Sequence, residues 1–303
     1  MKNANLLHNP TAGDNDFSEK ELVKQIEAEG FNCEYSSVKG EGWDQFKTET
    51  DFLIIAGGDG TVRRVAKALM ARKRLDKQYP LALLPHGTAN NIATALQISG
   101  KPKEIAKRWH EGHFQPFDIG KVYGLKDDRF FLEGFGYGVF PRLMKVMGKI
   151  EDEIGDTVEE KLKAALAVLY DVVLNYEAKE CRVEADGVSY SGKYLMVEVM
   201  NIRSIGPNLV LAPDADPGDG ELEIVMIPET QREKLETYIL SLINGEDTEF
   251  DFTTIKAKNV MLLWEGKDLH IDDERVKVES PAEIRIEIQP NMMQFIVTSP
   301  ANQ

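Results

Sequence analysis

Between Phe52 and Leu69 the chain reads FLIIAGGDGTVRRVAKAL. A run of large apolar residues stops at Gly57 and Gly58, passes Asp59, Gly60 and Thr61, and then becomes amphipathic. A second turn of this kind, PHGTANN, follows PLALL and carries Gly87, Thr88 and Asn90. Glycines between a buried strand and a helix let the backbone come close to a ligand. The first N–H groups of a helix lack intrahelical partners and attract phosphate. Thr61 and Thr88 can cap the two helices or donate a hydroxyl to a phosphate oxygen. Asp59 is the residue that needs explaining. A carboxylate beside a phosphate is repelled by it unless a metal or a proton transfer reconciles the charges. A Mg²⁺ bound directly or through water would do so. The chain has no G-x-x-x-x-G-K-[ST] segment, and Gly58-x-Gly60 has Arg63 where a dinucleotide fingerprint has its third glycine.

The elements that must hold these turns alternate along the first third. NANLLHN, FNCEYSSV, DFLIIAGG and PLALLPHG read as strands, and FSEKELVKQIEAEG, TVRRVAKALMAR, TANNIATALQI and PKEIAKRWHEG as helices. Ser18 and Glu21 have capping-box spacing, and Gly30 sits where a helix ends. Such alternation implies a parallel sheet covered on both faces, with ligands beyond the carboxyl ends of its strands. From about Lys121 the pattern changes to strand-like segments with turn punctuation, some with period-two alternation as at Ile284, Ile286 and Ile288. One helix interrupts them, TVEEKLKAALAVLYDVVLNY, with Thr157 and Glu160 in capping-box spacing. The expected fold is therefore α/β plus mainly β. A nucleotide-binding α/β domain would occupy residues 1–119, and an antiparallel, β-sandwich-like domain 120–303.

Composition narrows the function classes. The 303 residues include 51 acidic and 36 basic side chains, a net charge of −15. That surface repels nucleic acid and does not favour strong docking on an anionic membrane. A local exception runs from Arg63 to Lys77, with Arg64, Lys67, Arg72, Lys73 and Arg74 between. It is either a solvated helix face or a basic lip toward phosphates and acidic lipid headgroups. The two cysteines, Cys33 and Cys181, form no disulfide framework and suggest a reducing compartment. The N-terminus lacks the apolar core of a signal peptide, and AALAVLYDVVL is too short to span a bilayer. A cytoplasmic location follows as an expectation. The histidines show no zinc-ligand spacing, and no G-x-S-x-G segment supports a hydrolase. Asp214, Asp216 and Asp219 superficially suggest calcium, but Val225 stands where an EF-hand needs glutamate.

NPTAG, GGDGT, LPHGTANNIA and FDIG occur in the order of the diacylglycerol kinase catalytic domain. The chain resembles the soluble bacterial lipid kinases of about this length. PDADPGDGELEI resembles that family's P-x-A…D-G-x-L segment, and IDDERV stands where the family has D-G-E. NAD kinases and phosphofructokinases share GGDG, but the five motifs in register point to the lipid kinases. The resemblance implies ATP over Gly57, Gly58, Asp59, Gly60, Thr61, Gly87 and Thr88, with Asn9 and Asn90 nearby. It implies Mg²⁺ organised by Asp59 and Asp118. Glu274 is similar to the family's general base, which takes the proton of a lipid hydroxyl as it attacks the γ-phosphate. Asp216, Asp219 and the carbonyl of Glu221 fall where related proteins hold a structural cation. The implied substrate is a diacylglycerol-like lipid, phosphatidylglycerol or a sphingoid alcohol, reached by transient peripheral contact with a membrane. The basic stretch and the apolar segment GVFPRLM are the candidate contacts.

The chain also departs from the family. Arg63 and Arg64 replace the usual Asn and Glu, Asp273 replaces the glycine of D-G-E, His86 replaces a small or apolar residue, and Asn91 replaces a frequent Asp. Two other functions compete: a soluble-metabolite kinase related to NAD kinase, and a catalytically silent nucleotide- or lipid-binding module.

Overall fold

The computed structural model describes all residues except 13–17, 74, 128, 151–156, 247, 250, 280 and 298–303. The described chain divides into two units. Strands β1 (Asn3–His8), β2 (Asn32–Ser37), β3 (Phe52–Gly57) and β4 (Leu81–Pro85) pair in parallel in the order β4-β3-β1-β2. All six residues of β3 are buried, as expected of a strand covered on both faces. Helix α1 (Glu19–Ala28) starts on the predicted capping box: Glu21 N–H donates to Ser18 Oγ at 3.4 Å and Ser18 N–H to Glu21 Oε2 at 2.9 Å. Gly30 follows it with φ 86°.

Helix α2 (Asp59–Met70) leaves β3 directly and buries Val62, Val65 and Ala66. Helix α3 covers only Asn91–Ala95, far less than the predicted Thr88–Ile98. Its N-cap Asn90 has φ 54°, and its side chain bonds back to both the N–H and the carbonyl of Gly87, at 2.7 Å each. That closed loop keeps Thr88 out of the helix, while Gln97 with φ 56° limits the other end. Helix α4 (Pro102–Arg108) and a 3-10 turn (Trp109–Glu111) complete the helices of this unit.

Strand β5 (His113–Tyr123) belongs to the first unit up to Phe117, and the second unit runs from Asp118 to Pro290. It contains β6 (Arg129–Phe131), β7 (Gly134–Gly138), β8 (Lys179–Ala185), β9 (Val188–Met200), β10 (Ser204–Ile205), β11 (Leu209–Val210), β12 (Leu222–Pro228), β13 (Thr254–Ala257), β14 (Asn259–Trp264), β15 (Asp268–Ile271) and β16 (Glu274–Lys277). The last strand, β17 (Ala282–Val297), pairs there with β14. The pairings within this unit are antiparallel, in the order β16-β15-β7-β9-β8-β14-β17, with β12 joining β9 to β13. From Asn291 onward β17 belongs to the first unit, where Phe295 pairs with Leu81 and packs against Phe117. A division by sequence alone places that segment in the second domain.

Helix α6 (Val158–Asn175) carries the predicted capping box, but α5 (Val139–Ile150) and α7 (Arg232–Ile243) are helices that strand-like reading overlooks. GVFPRLM follows a strand of alternating glycines and aromatics, which hides the change of period. Pro141 lies in the first turn of α5, where its missing N–H costs nothing. Val139, Phe140, Pro141 and Leu143 are buried, so this segment is core and not an exposed apolar rim. Side-chain alternation splits the core of this unit in two. Met196 and Met200 pack with α5, α6 and α7, while Val197 and Val199 pack with Phe135, Tyr137, Val183, Leu262 and Trp264.

On the helix-facing side lies a buried ion pair. The strand registers align His270 with Gly136 and Gly136 with Glu198. Because Gly136 has no side chain, the imidazole and the carboxylate meet across it: His270 Nε2 lies 2.7 Å from Glu198 Oε2, and both residues are fully buried. A Cβ at Gly136 would stand 1.9 Å from Glu198 Oε2. Gly136→Ala should therefore destabilise the protein by roughly 3 kcal/mol or more, the cost of breaking a buried pair, read as a lower urea midpoint at an unchanged slope.

Candidate functional site

The two glycine turns lie against each other at the carboxyl ends of β3 and β4. His86 N–H donates to Gly57 carbonyl at 3.0 Å. A Cβ at Gly58 would lie 2.8 Å from Gly87 Cα, and one at Gly87 only 2.4 Å from Gly58 Cα. Neither position tolerates a side chain, so backbone alone lines the surface where the two turns meet. Asn9 ties β1 to this surface: its Nδ2 donates to Thr61 Oγ1 at 3.1 Å, and its N–H to Ala56 carbonyl at 2.9 Å. Gly57, Gly58, Gly60, Thr61, Gly87, Asn9 and Asn90 thus gather around one end of the parallel sheet. Thr88 is exposed on the loop between Gly87 and Asn90.

Asp59 has a structural task that the sequence conceals. It stands in the first turn of α2 and accepts the N–H of Asn91 at Oδ2 (2.9 Å) and that of Ile92 at Oδ1 (3.0 Å). The carboxylate caps α3 from another helix, supplying what the left-handed Asn90 does not. The start of α3 is therefore already met by an anion. The start of α2 is different, because its N-cap is Gly58, which has no side chain to cap it.

Part of the basic stretch is tied down. Arg64 stacks over Trp43 at 5.5 Å, and Arg72 lies over Tyr79 at 5.0 Å and Phe46 at 5.5 Å. Lys77 Nζ donates to the carbonyls of Thr48 (2.9 Å) and Thr50 (2.7 Å). Lys73 and Leu75 are exposed, Leu75 at 99%. Arg74 lies outside the described residues.

In the second unit, β15 and β16 form a hairpin whose turn is Asp272-Asp273, with Ile271 paired to Glu274. The positive φ, 51°, falls on Asp272, so Asp273 needs no glycine-like conformation. Asp272 is held by a nest of backbone donors: its Oδ1 accepts the N–H of Leu132 (3.0 Å), Glu133 (2.8 Å) and Gly134 (3.3 Å). Glu274 is half exposed, and Arg129 Nη1 donates to its Oε1 at 2.6 Å. Behind the turn, His270 Nδ1 contacts Asp272 carbonyl at 2.9 Å. Burial pushes the Glu198 carboxyl above the ordinary carboxylate range. Burial also works against a charged His270, but the Glu198 carboxylate and the Asp272 carbonyl outweigh it and hold its pKa above the usual value. Motif reading passes over Arg129, Glu198 and His270. The available signal was the glycine at every second position of EGFGYGVF, which leaves one strand face without side chains.

Asp118 is fully buried, and its carboxylate accepts the N–H of Gly220 at 2.8 Å. Its own N–H donates to Pro217 carbonyl at 2.6 Å. Asp118 thereby anchors the loop from Asp216 to Gly220. Within that loop Asp216 Oδ1 accepts the N–H of Gly218 and Asp219 Oδ1 that of Glu221, both at 2.9 Å. Lys256 stands opposite Glu223 across β12 and β13. Its Nζ lies 2.9 Å from Asp219, 3.6 Å from Glu223 and 3.9 Å from Glu221. Among the described residues, no three of His, Cys, Asp or Glu converge so as to hold a metal ion. Of the groups that the resemblance offers to a structural cation, the Asp219 carboxylate is already paired with the Lys256 ammonium. Among the described residues, no helix is long and apolar enough to cross a membrane.

Residues 3–122 match the family model of the diacylglycerol kinase catalytic domain, and residues 153–297 that of the YegS C-terminal NAD kinase beta sandwich-like domain. The chain is 32% identical over 203 residues to a protein of Serratia proteamaculans (strain 568) named "Probable lipid kinase YegS-like". That match spans 65% of this chain and 61% of the relative, just under two thirds of its length. It is 27% identical over 296 residues to the diacylglycerol kinase of Bacillus subtilis (strain 168), covering 90% of each. A crystal structure of a diacylglycerol kinase from Bacillus anthracis str. Sterne superposes with a TM-score of 0.73 at 23% identity, covering 99% of this chain and 97% of that one. At that identity the superposition speaks for the fold.

Two outcomes follow from this geometry. Asp59→Ala should cost about 1 kcal/mol of stability with neither nucleotide nor metal present, because a helix cap is lost. A carboxylate serving only a metal would cost nothing in that measurement. Wild-type protein should melt at the same temperature in chelator and in millimolar Ca²⁺. Lys256→Met should lose about 1 kcal/mol, the screened worth of a half-exposed ion pair, and regain part of it when Ca²⁺ is added.

Proposed function

Because the chain belongs to the diacylglycerol kinase family, with a YegS-type C-terminal domain behind the catalytic one, we propose that it is a lipid kinase that transfers the γ-phosphate of ATP to a lipid hydroxyl. The observation that carries this reading is the contact of Gly58 with Gly87. Two backbone turns meet at the carboxyl ends of adjacent parallel strands, where α/β sheets bind ligands, with the uncapped start of α2 beside them. Gly57 to Thr61 and Gly87-Thr88 would take the polyphosphate, with Asn9 and Asn90 fixing the turns.

The reaction is a phosphoryl transfer to an alcohol. A hydroxyl oxygen of the lipid attacks the γ-phosphorus, the bond from that phosphorus to the β-bridging oxygen breaks, and ADP leaves. The hydroxyl proton passes to a carboxylate, and Glu274 is the residue we assign to this, with Arg129 fixing its direction. Mg²⁺, when bound, offsets the charge on the transferred group. Asp59 is the residue suited to meet it through water. Asp118, buried under its loop, supports the site by holding that loop. The acceptor is a diacylglycerol-like lipid, phosphatidylglycerol or a sphingoid alcohol. It is reached by transient contact with a membrane surface, for which exposed Leu75 beside Lys73 is better placed than the internally bonded Arg72 and Lys77.

The test supplies labelled ATP and Mg²⁺ with vesicles containing each lipid. Label should enter one lipid class, and Glu274→Gln should lower kcat by roughly 10²- to 10⁴-fold. Label entering NAD instead would support the soluble-metabolite kinase. ATP binding by calorimetry with no transfer to any acceptor would support the silent module.

A further inference from the structure

The turn that carries Glu274 is fixed from several sides. Asp272 N–H donates to Gly134 carbonyl at 2.9 Å, and the Asp272 carboxylate fills the nest at Leu132, Glu133 and Gly134. The Asp272 carbonyl faces His270 Nδ1 at 2.9 Å. A carbonyl oxygen only accepts, so Nδ1 carries the proton and Nε2 meets Glu198. These bonds hold Asp272 at φ 51°, in the left-handed region that aspartate enters more readily than most L-residues.

The arrangement buries polar groups at a cost. Glu198 and His270 are fully buried, and Glu198 Oε1 has no hydrogen-bond partner among the described residues. Well-packed apolar residues of similar volume often serve stability as well as or better than a buried ion pair. What an apolar pair cannot supply is a directed N–H bond to the Asp272 carbonyl, at the turn from which Glu274 leaves. His270 is itself oriented by Glu198 across the gap at Gly136, and on its other side by the ring of Phe140, 4.7 Å away.

We propose that Glu198 and His270 are positioning residues: Glu198 orients the imidazole, the imidazole holds the Asp272 carbonyl, and the turn thereby aims the Glu274 carboxylate. The inference rests on the reading of Glu274 as proton acceptor, and its test separates the two.

Asparagine reaches as far as Nδ1 of histidine, and glutamine as far as Nε2. His270→Asn therefore keeps the donor to Asp272 and loses Glu198, whereas His270→Gln keeps the reach to Glu198 and loses the bond to Asp272. In the lipid kinase assay, His270→Gln should lose roughly 10- to 100-fold in kcat, the scale of a misplaced catalytic group, and His270→Asn, which keeps the donor to Asp272 without its orientation by Glu198, should lose severalfold less. KM for ATP and for lipid should be unchanged in both. A merely structural role would lower the melting temperature of both variants without separating their kcat values. Equal kcat in the two variants, at any level, would overturn the inference. Glu198→Gln against Glu198→Ala provides the second comparison and decides the matter where the histidine variants do not fold. Glutamine should restore kcat and alanine should not, and equal values again overturn the inference. Glu274→Gln with undiminished kcat would remove the proton-acceptor reading and this one with it. An inactive Glu274→Gln beside a fully active His270→Gln would remove the positioning inference alone.

Discussion

Backbone contact at Gly58 and Gly87 is the constraint on which the nucleotide end of the first unit depends. The two α-carbons are so close that a single added methyl on either side would collide with the other turn. Close approach brings the first turn of α2 within reach of the start of α3, and Asp59 can then serve two helices at once. Its charge suits both positions, since the N-terminal end of a helix carries partial positive charge. One aspartate therefore ties the two turns together through both of its oxygens. Asn9 and Asn90 extend the same logic with neutral groups, each closing a turn through its amide.

Missing side chains also organise the second unit. Gly136 opens a gap in the middle strand of three, and the row His270, Gly136, Glu198 becomes a place where a buried acid and base can meet. Above that row lies Phe140 of α5, and at its end lies the turn of Asp272 and Asp273. A glycine thus does in a sheet what Gly58 and Gly87 do between turns: it lets other groups approach closely, and at Gly136 it does so where both partners are fully buried. In such surroundings a satisfied polar bond is firm and an unsatisfied one is costly.

Several charges of this protein are engaged by its own groups. Arg64 and Arg72 lie over aromatic rings, Lys77 closes on backbone carbonyls, and Lys256 stands among three carboxylates. A count of basic residues between Arg63 and Lys77 suggests a lip for anionic ligands. The contacts of Arg64, Arg72 and Lys77 leave a smaller feature, exposed Lys67, Lys73 and Leu75. Likewise, the acidic loop near Asp219 suggests a cation, and the cation it holds is a lysine from a neighbouring strand.

Much of the site was legible from local order. The glycine turns, the parallel strands behind them, the capping boxes at Ser18 and Thr157 and the family motifs are all encoded within a few consecutive residues. Local sterics and hydrogen bonding settle such features wherever the segment is placed. The length of α3, the helices α5 and α7, and the return of β17 to the first unit were not legible in this way. Nor were the capping by Asp59 of a helix more than thirty residues away, the Arg129 bond to Glu274, the burial of Asp118, and the meeting of Glu198 with His270. Each of these depends on which strands become neighbours and in what register. A one-residue slip would send every side chain to the opposite face. The sequence by itself determined which chemical groups the turns contain; strand pairing decided which of those groups already have partners.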